Sequence, residues 1–253
     1  MIRAIDIAAR GNRWAGRHPA EKMVLYLGGL AIVMAAPRAH LPAAGIGVGI
    51  VAVIASLCLA RVPTRLYLGL VAVPTGFLLT SVATLAVSLD WSDGWRLALA
   101  PDAWATIWPP CVRVLATLAC LIGLATTTPV SDLLAFLGRV GVPAFLTDLA
   151  LMIYRQIWVT AEIVERSIAA QRARLGFGGY RGTLRSLGIV AATLFPRLLA
   201  RSHRLELGLA ARNFGGRLAF LESGAAASPA RIAVTGLVLA ATALAAALLP
   251  VAP

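Results

Sequence analysis

Two short phrases in this chain place an arginine where a helix is about to stop. The first is Arg172-Ala173-Arg174-Leu175-Gly176-Phe177-Gly178-Gly179, and the second is Ala210-Ala211-Arg212-Asn213-Phe214-Gly215-Gly216. Arg174 and Arg212 lie 38 residues apart, each after an alanine and each shortly before Phe-Gly-Gly. A guanidinium is a planar fork of donors that suits a carboxylate or a set of backbone carbonyls. The small Ala173 and Ala211 let a partner surface come close. The chemistry on offer is therefore docking, with Arg172 as an added cation and Gly176, Gly178, Gly179, Gly215 and Gly216 expected as helix-end hinges. A cation near a helix C-terminus is favourable by itself, by about 0.3–1 kcal/mol. That effect asks only for charge, whereas here a whole phrase is repeated.

Other chemistries find little support. The chain has no GxxxxGK[ST] loop, no HExxH and no GxSxG, so it carries none of the usual signatures for binding ATP, holding a catalytic zinc or activating a serine. Glu162 and Glu165 sit three apart on one helical face with Arg155 and Arg166 as neighbours, the pattern of a solvated, paired surface. No catalytic residue is expected, and the chain is read as a non-enzyme. Cys58, Cys111 and Cys120 lie in or beside apolar runs and form no CxxC, and the three histidines are scattered. These cysteines read as packing residues, and no metal ligands or cofactor are expected. Arginines in the basic stretch alternate with leucine rather than with stacking aromatics, which argues against nucleic acid.

The elements that must position the two arginines are long helices attached to a membrane bundle. The chain has 253 residues, 59% hydrophobic and 13% charged, with mean hydropathy +0.82. That excess of apolar residues is the mark of a membrane protein. Five crossings are predicted: Met23 to Ala36, Leu41 to Ala60, Leu66 to Leu89, Arg113 to Val130 and Ile232 to Ala252. Between the third and fourth, Asp90, Asp93 and Asp102 mingle with Trp91, Trp95, Trp104 and Trp108, a composition suited to a membrane–water boundary. Thr128 and Pro129 read as the cap and first position of a helix that stops at Gly141-Val142-Pro143. Apolar residues at Leu149, Ile153, Ile157, Val164 and Ile168 then mark a long amphipathic helix ending at Gly176. A second, from Leu184 to Leu209 with a bend at Pro196, ends at Gly215-Gly216. Gly45, Gly47 and Gly49 are candidates for close helix packing, against a partner or within the chain.

The resulting division is 1–22, a cytosolic N-terminal segment; 23–130, four transmembrane helices; 131–230, the amphipathic coupling-helix region; and 231–253, a last transmembrane helix. With the N-terminus inside, 20 of the 23 Lys and Arg residues lie on the cytosolic side. Were Met23 to Ala36 not to cross, the twelve arginines from Arg139 to Arg217 would face outward, against the positive-inside rule. The expected fold is an all-α polytopic membrane protein with about five spans and a cytosolic pair of long coupling helices. An autonomous cation channel or carrier is the weaker alternative, since Arg113 is the one ionisable residue within the expected spans.

The chain resembles the transmembrane T components of energy-coupling factor (ECF) transporters, in particular the CbiQ type of cobalt or cobalt/nickel uptake systems. Ile5-Asp6, His18-Pro19-Ala20-Glu21-Lys22, Thr127-Thr128-Pro129, Gly141-Val142-Pro143 and the two arginine phrases carry the resemblance. In that family each arm holds an Ala-Arg-Gly signature whose arginine docks on one of two ATPases. The resemblance implies that Arg174 and Arg212 dock, with Ala173 and Ala211 as their small neighbours. Here Leu175 and Asn213 replace the glycine. It also implies two CbiO-like ATPase subunits that use the ATP, a CbiM-like substrate-binding subunit, a small CbiN-like subunit and a place in the bacterial inner membrane. Cobalt is the implied substrate, with nickel or a vitamin as alternatives.

Overall fold

A computed structural model describes residues 2–37, 40–90, 96–99, 103–213 and 228–248. Gly215, Gly216, Arg38, Trp91 and Trp95 lie outside the described residues. The chain is a multi-pass, overwhelmingly helical membrane protein, as the long uncharged runs require: in lipid a backbone must satisfy its own hydrogen bonds. The helices are α1 (Ile2–Gly11), α2 (Pro19–Ala35), α3 (Leu41–Ile54, continued by a π-helical turn Ala55–Leu59), α4 (Thr64–Ala86), α5 (Ala103–Thr127), α6 (Val130–Arg139), α7 (Ala144–Ala173), α8 (Gly179–Ala211) and α9 (Pro229–Leu248). A short hairpin, β1 (Val87–Asp90) with β2 (Arg96–Leu99), pairs antiparallel with Val87 opposite Leu99 and Asp90 opposite Arg96. The hairpin falls where the composition suits a membrane–water boundary, and no strand is expected there from the sequence.

Among the described residues, five helices are long and apolar enough to cross a membrane: Leu41–Leu59, Thr64–Leu85, Trp104–Thr127, Gly179–Ala211 and Pro229–Leu248. The number matches the expectation, but the membership differs. The expected first crossing is α2, which at 17 residues falls below the roughly 20 a span needs. α8, expected from sequence as a coupling helix, also reaches that length and hydropathy, but it carries five arginines between Arg181 and Arg204, charges that a bilayer centre disfavours. The fourth expected span starts at Ala103, ten residues ahead of Arg113, and runs on through Pro109 and Pro110.

The chain divides into two compact units, 1–136 with 222–253, and 137–221. In the first, α5 packs against α1, α2, α3 and α4, and α9 against α2 and α3. Leu25, Tyr26, Val33, Val48, Ala116, Cys120 and Leu239 meet in its core. Close approach of α3 to α5 depends on glycine. A Cβ at Gly45 would lie 2.5 Å from Val112 Cγ1, and one at Gly49 would lie 3.6 Å from the Ala116 backbone. Gly45 is thus required inside this chain, and Gly49 packs on α5 at ordinary contact distance, the small-xxx-small mode of membrane packing.

The ends of these helices show that α2 runs with the spans. The Asn12 side-chain amide donates to Thr126 O at 3.2 Å and Thr127 O at 3.3 Å, at the C-terminus of α5. Arg13 N–H donates to Ala60 O at 3.1 Å, beyond the π-helical turn. Glu21 accepts from Ser228 N–H at 3.1 Å, just before α9. The start of α2, the end of α3, the end of α5 and the start of α9 therefore share one end of the unit. At the opposite end Arg113 Nη2 donates to Ala36 O at 3.4 Å, after the last turn of α2.

Candidate functional site

Through Leu175 in the first phrase and Asn213 in the second, the two helix ends take the same backbone course. Pro143, with φ −52° and ψ 134°, precedes α7, and the helix runs 30 residues to Ala173. Arg174 is the residue that caps it, at φ −90° and ψ 12°. Leu175 then turns left-handed, φ 56°. Its N–H donates to Arg172 O at 3.0 Å, and Gly176 N–H donates to Gln171 O at 2.9 Å. This pair of bonds is a Schellman motif, which satisfies two carbonyls a helix end would otherwise leave bare. In the second phrase α8 ends at Ala211, Arg212 caps it at φ −96° and ψ 16°, and Asn213 is left-handed at φ 50°. Asn213 N–H donates to Ala210 O at 3.1 Å, the counterpart of the Leu175 bond. The repetition thus reaches the backbone. The left-handed position falls on Leu175 and Asn213, the two residues that stand where the resemblance leads one to expect glycine. Asparagine adopts this conformation readily, and leucine only at a cost of about 1–2 kcal/mol.

Two expectations about these ends need correcting. The second helix stops at Ala211, before Gly215-Gly216, because the left-handed Asn213 already ends it. In the first, the reversal is made by Leu175, while Gly176 is a contact point. A Cβ on Gly176 would collide with Ser186 Oγ, and Ser186 Oγ donates to Gly176 O at 2.6 Å. Gly178 precedes α8, and Gly179 opens it at φ 80°. Five residues therefore join α7 to α8 in a turn pinned by a hydrogen bond. Further on, Arg197 Nη1 donates to Ser167 Oγ at 3.0 Å, tying α8 to α7.

The cations at the tips differ in engagement. Arg172 lies over the Phe177 ring, 5.9 Å from its centroid. Arg174 and Arg212 are exposed, and among the described residues neither has an ion-pair partner. With 33 residues in α8, about 50 Å of helix lies between them. Around them, residues 139–212 hold eleven arginines against four carboxylates. Each tip offers five N–H donors from an isolated guanidinium at a helix C-terminus. On α7, Leu149, Ile153 and Ile157 of the expected apolar face stay 42–53% exposed.

No group of three or more His, Cys, Asp or Glu side chains able to hold a metal occurs among the described residues. Thr128 does not cap α6: its Oγ1 is buried without a hydrogen-bond partner, and Pro129 O receives the first turn's N–H groups.

A second constellation escaped the sequence reading. Asn12 donates to Ala8 O and Ala9 O at 3.1 and 2.8 Å as well as to the end of α5. Two carbonyl-bearing helix ends thus converge, each with partial negative charge. Lys22 Nζ, 1% exposed, donates to Thr127 O at 2.9 Å. Beside it Glu21 takes Ser228 N–H and Arg231 Nη1, the latter at 3.3 Å, and so holds the start of α9. His18 Nδ1 accepts from Ala20 N–H at 3.2 Å and caps α2. In the sequence, His18-Pro19-Ala20-Glu21-Lys22 reads as a helix start, with proline early and a glutamate in the first turn, and as part of the family resemblance. The signal available there was Lys22 itself, the single lysine in a chain with 22 arginines.

Residues 11–220 match the family model CbiQ, described as cobalt transport protein. The chain is 42% identical over 239 residues to a cobalt transport protein CbiQ of Rhodobacter capsulatus, covering 94% of each. It is 26% identical to the cobalt transport protein CbiQ of Salmonella typhimurium, over 81% of this chain and 94% of that one. It also matches a putative fused cobalt transport protein CbiMQ of Methanocorpusculum labreanum at 25% identity, over 82% of this chain and 36% of the relative.

Proposed function

This chain belongs to the CbiQ family of cobalt transport proteins, and we propose on that footing that it is the T subunit of an ECF-type importer for cobalt ions. In this reading it is not an enzyme. Two CbiO-like ATPases bind and hydrolyse ATP, and each takes one helix tip through Arg174 or Arg212. When ATP draws the ATPases together the tips follow, and α7 and α8 act as levers on a separate substrate-binding membrane subunit. Stiffness comes from helices of 30 and 33 residues, and anchorage from the guanidinium groups.

The observation that carries the reading is the matching end of the two helices, each with a capping arginine that has no ion-pair partner among the described residues and a left-handed residue after it. Two equivalent grooves, on two copies of one ATPase, call for such a pair. A CbiM-like partner is supported by the name of the fused relative. A CbiN-like subunit and cobalt as the cargo follow from the family alone. The tips belong in the cytosol, and the chain in the inner membrane. For the first unit by itself, Arg13, Arg17, Lys22, Arg61, Arg65 and Arg231 all belong to the helix ends and turns at the end where α2 starts, as the positive-inside rule asks of a cytosolic face; for the tips, the support is the run of arginines around them.

The test is charge reversal in the assembled transporter. Arg174→Glu and Arg212→Glu should each weaken co-purification of the ATPase, and the double variant should abolish ATP-dependent cobalt uptake. Losing one partner of a buried, paired arginine costs about 3–5 kcal/mol, enough to reduce recruitment more than a hundredfold. Full uptake by the double variant with ATPase still bound would refute the assignment.

A further inference from the structure

The first unit contains a cleft between α2, the π-helical end of α3, and α9, with a volume of about 460 Å³. That lies within the roughly 300–1,000 Å³ of small-ligand sites. Its lining is split by chemistry. Arg17, Glu21, Lys22 and Arg231 stand at one end, while Leu25, Ile54, Leu59, Val234 and Val238 line the apolar remainder. The polar end is the one where α2 and α9 begin, the depth at which lipid headgroups lie. Trp14 belongs to the same wall, and tryptophan favours that depth.

The charges at this end do not cancel. Glu21 is the one carboxylate in the lining, and it already accepts from Ser228 N–H and Arg231. Lys22 is engaged by Thr127 O. Arg17 rests on the Trp14 ring at 4.7 Å from its centroid and has no carboxylate partner among the described residues. Three cations thus stand beside one lining carboxylate at the mouth of an apolar trench, and Asp132, outside the lining, faces Lys22, which leaves Arg17 as the cation with no anion of its own among the described residues.

We propose that this cleft is a binding site for one anionic phospholipid, its phosphate held by Arg17 and Arg231 and one acyl chain laid along Leu25, Ile54, Val234 and Val238. A basic pocket between transmembrane helices is the recognised setting for such headgroups. A soluble phosphate would use the cations and leave the trench bare. A partner's apolar helix would bury Arg17 with nothing to pair it, at the cost an unpaired charge carries.

The experiment uses the full chain, freed of lipid and returned to phosphatidylcholine nanodiscs. These carry a small fraction of dibrominated phosphatidylglycerol or, in the second arm, dibrominated phosphatidylcholine. The Trp14 signal is the difference from a Trp14→Phe variant. The brominated phosphatidylglycerol is expected to quench Trp14 preferentially. Arg17→Gln should cut that preference about fivefold, the contribution of one basic residue near a surface. Val234→Phe, at a position 59% exposed and clear of the Glu21 cluster, should fill the trench and remove the preference. Equal quenching by the two lipids would overturn the proposal. So would a preference unchanged in both variants, or one abolished by excess inorganic phosphate.

Discussion

At the residue scale, the helix ends show how one conformation is reached with two side chains. Leu175 pays for its left-handed φ without recovering anything through burial, since it is 87% exposed. Leu175→Gly should therefore raise stability by up to about 1 kcal/mol, the gain in conformation being partly offset by the freer unfolded chain. Leu175→Val should lower it, because a β-branched residue tolerates this region worst. Thermal unfolding of the detergent-solubilised chain reads both. Lys22 makes a sharper case. Its ammonium is a compact donor placed where the carbonyl ends of α1 and α5 converge. Lys22→Met should cost about 2–3 kcal/mol, the range for a hydrogen bond to a charged group. Lys22→Arg should not restore it, because a planar fork does not fit a site only 1% exposed. Recovery of the wild-type unfolding temperature by arginine would show that charge alone suffices.

At the scale of elements, the contact between α3 and α5 and the turn between α7 and α8 are two places where a glycine leaves no room for a side chain. Gly45→Leu should force α3 away from Val112 at a cost of about 1–3 kcal/mol, typical of overpacking. Gly69→Ala on α4 meets no neighbour within 4 Å and should be neutral or slightly stabilising, since alanine is the better helix former. Comparing their unfolding temperatures separates a packing defect from a general intolerance of change. In the turn, Ser186→Ala removes the hydrogen bond to Gly176 O. Amide exchange across residues 175–182 should then accelerate while the helix interiors stay protected. An unchanged exchange pattern would mean that the Ser186 bond does not hold the turn. The sequence marked these helices because periodicity and the glycine stops are local. It missed which residue turns left-handed, since Leu175 carries no local propensity for it.

At the scale of the whole molecule, the parity of crossings decides what faces the cell interior. In a variant lacking Cys58, Cys111 and Cys120, cysteines at Gly16 and Arg65 should be labelled from the cytoplasmic side, and one at Pro37 from the other. Labelling of positions 16 and 37 from the same side would mean that α2 does not cross. Membrane class, the number of apolar helices, the basic bias and the repeated arginine phrase were all determined by the sequence by itself, because each depends on composition or on spacing along one helix. Tertiary structure alone decided that the 17-residue α2 runs beside the longer spans, that Gly45 and Gly49 serve α5, and that Asn12, Glu21 and Lys22 fasten helix ends over a hundred residues away in sequence. Such facts depend on which surfaces meet, and a segment's own pattern of apolar and charged residues does not specify its neighbour.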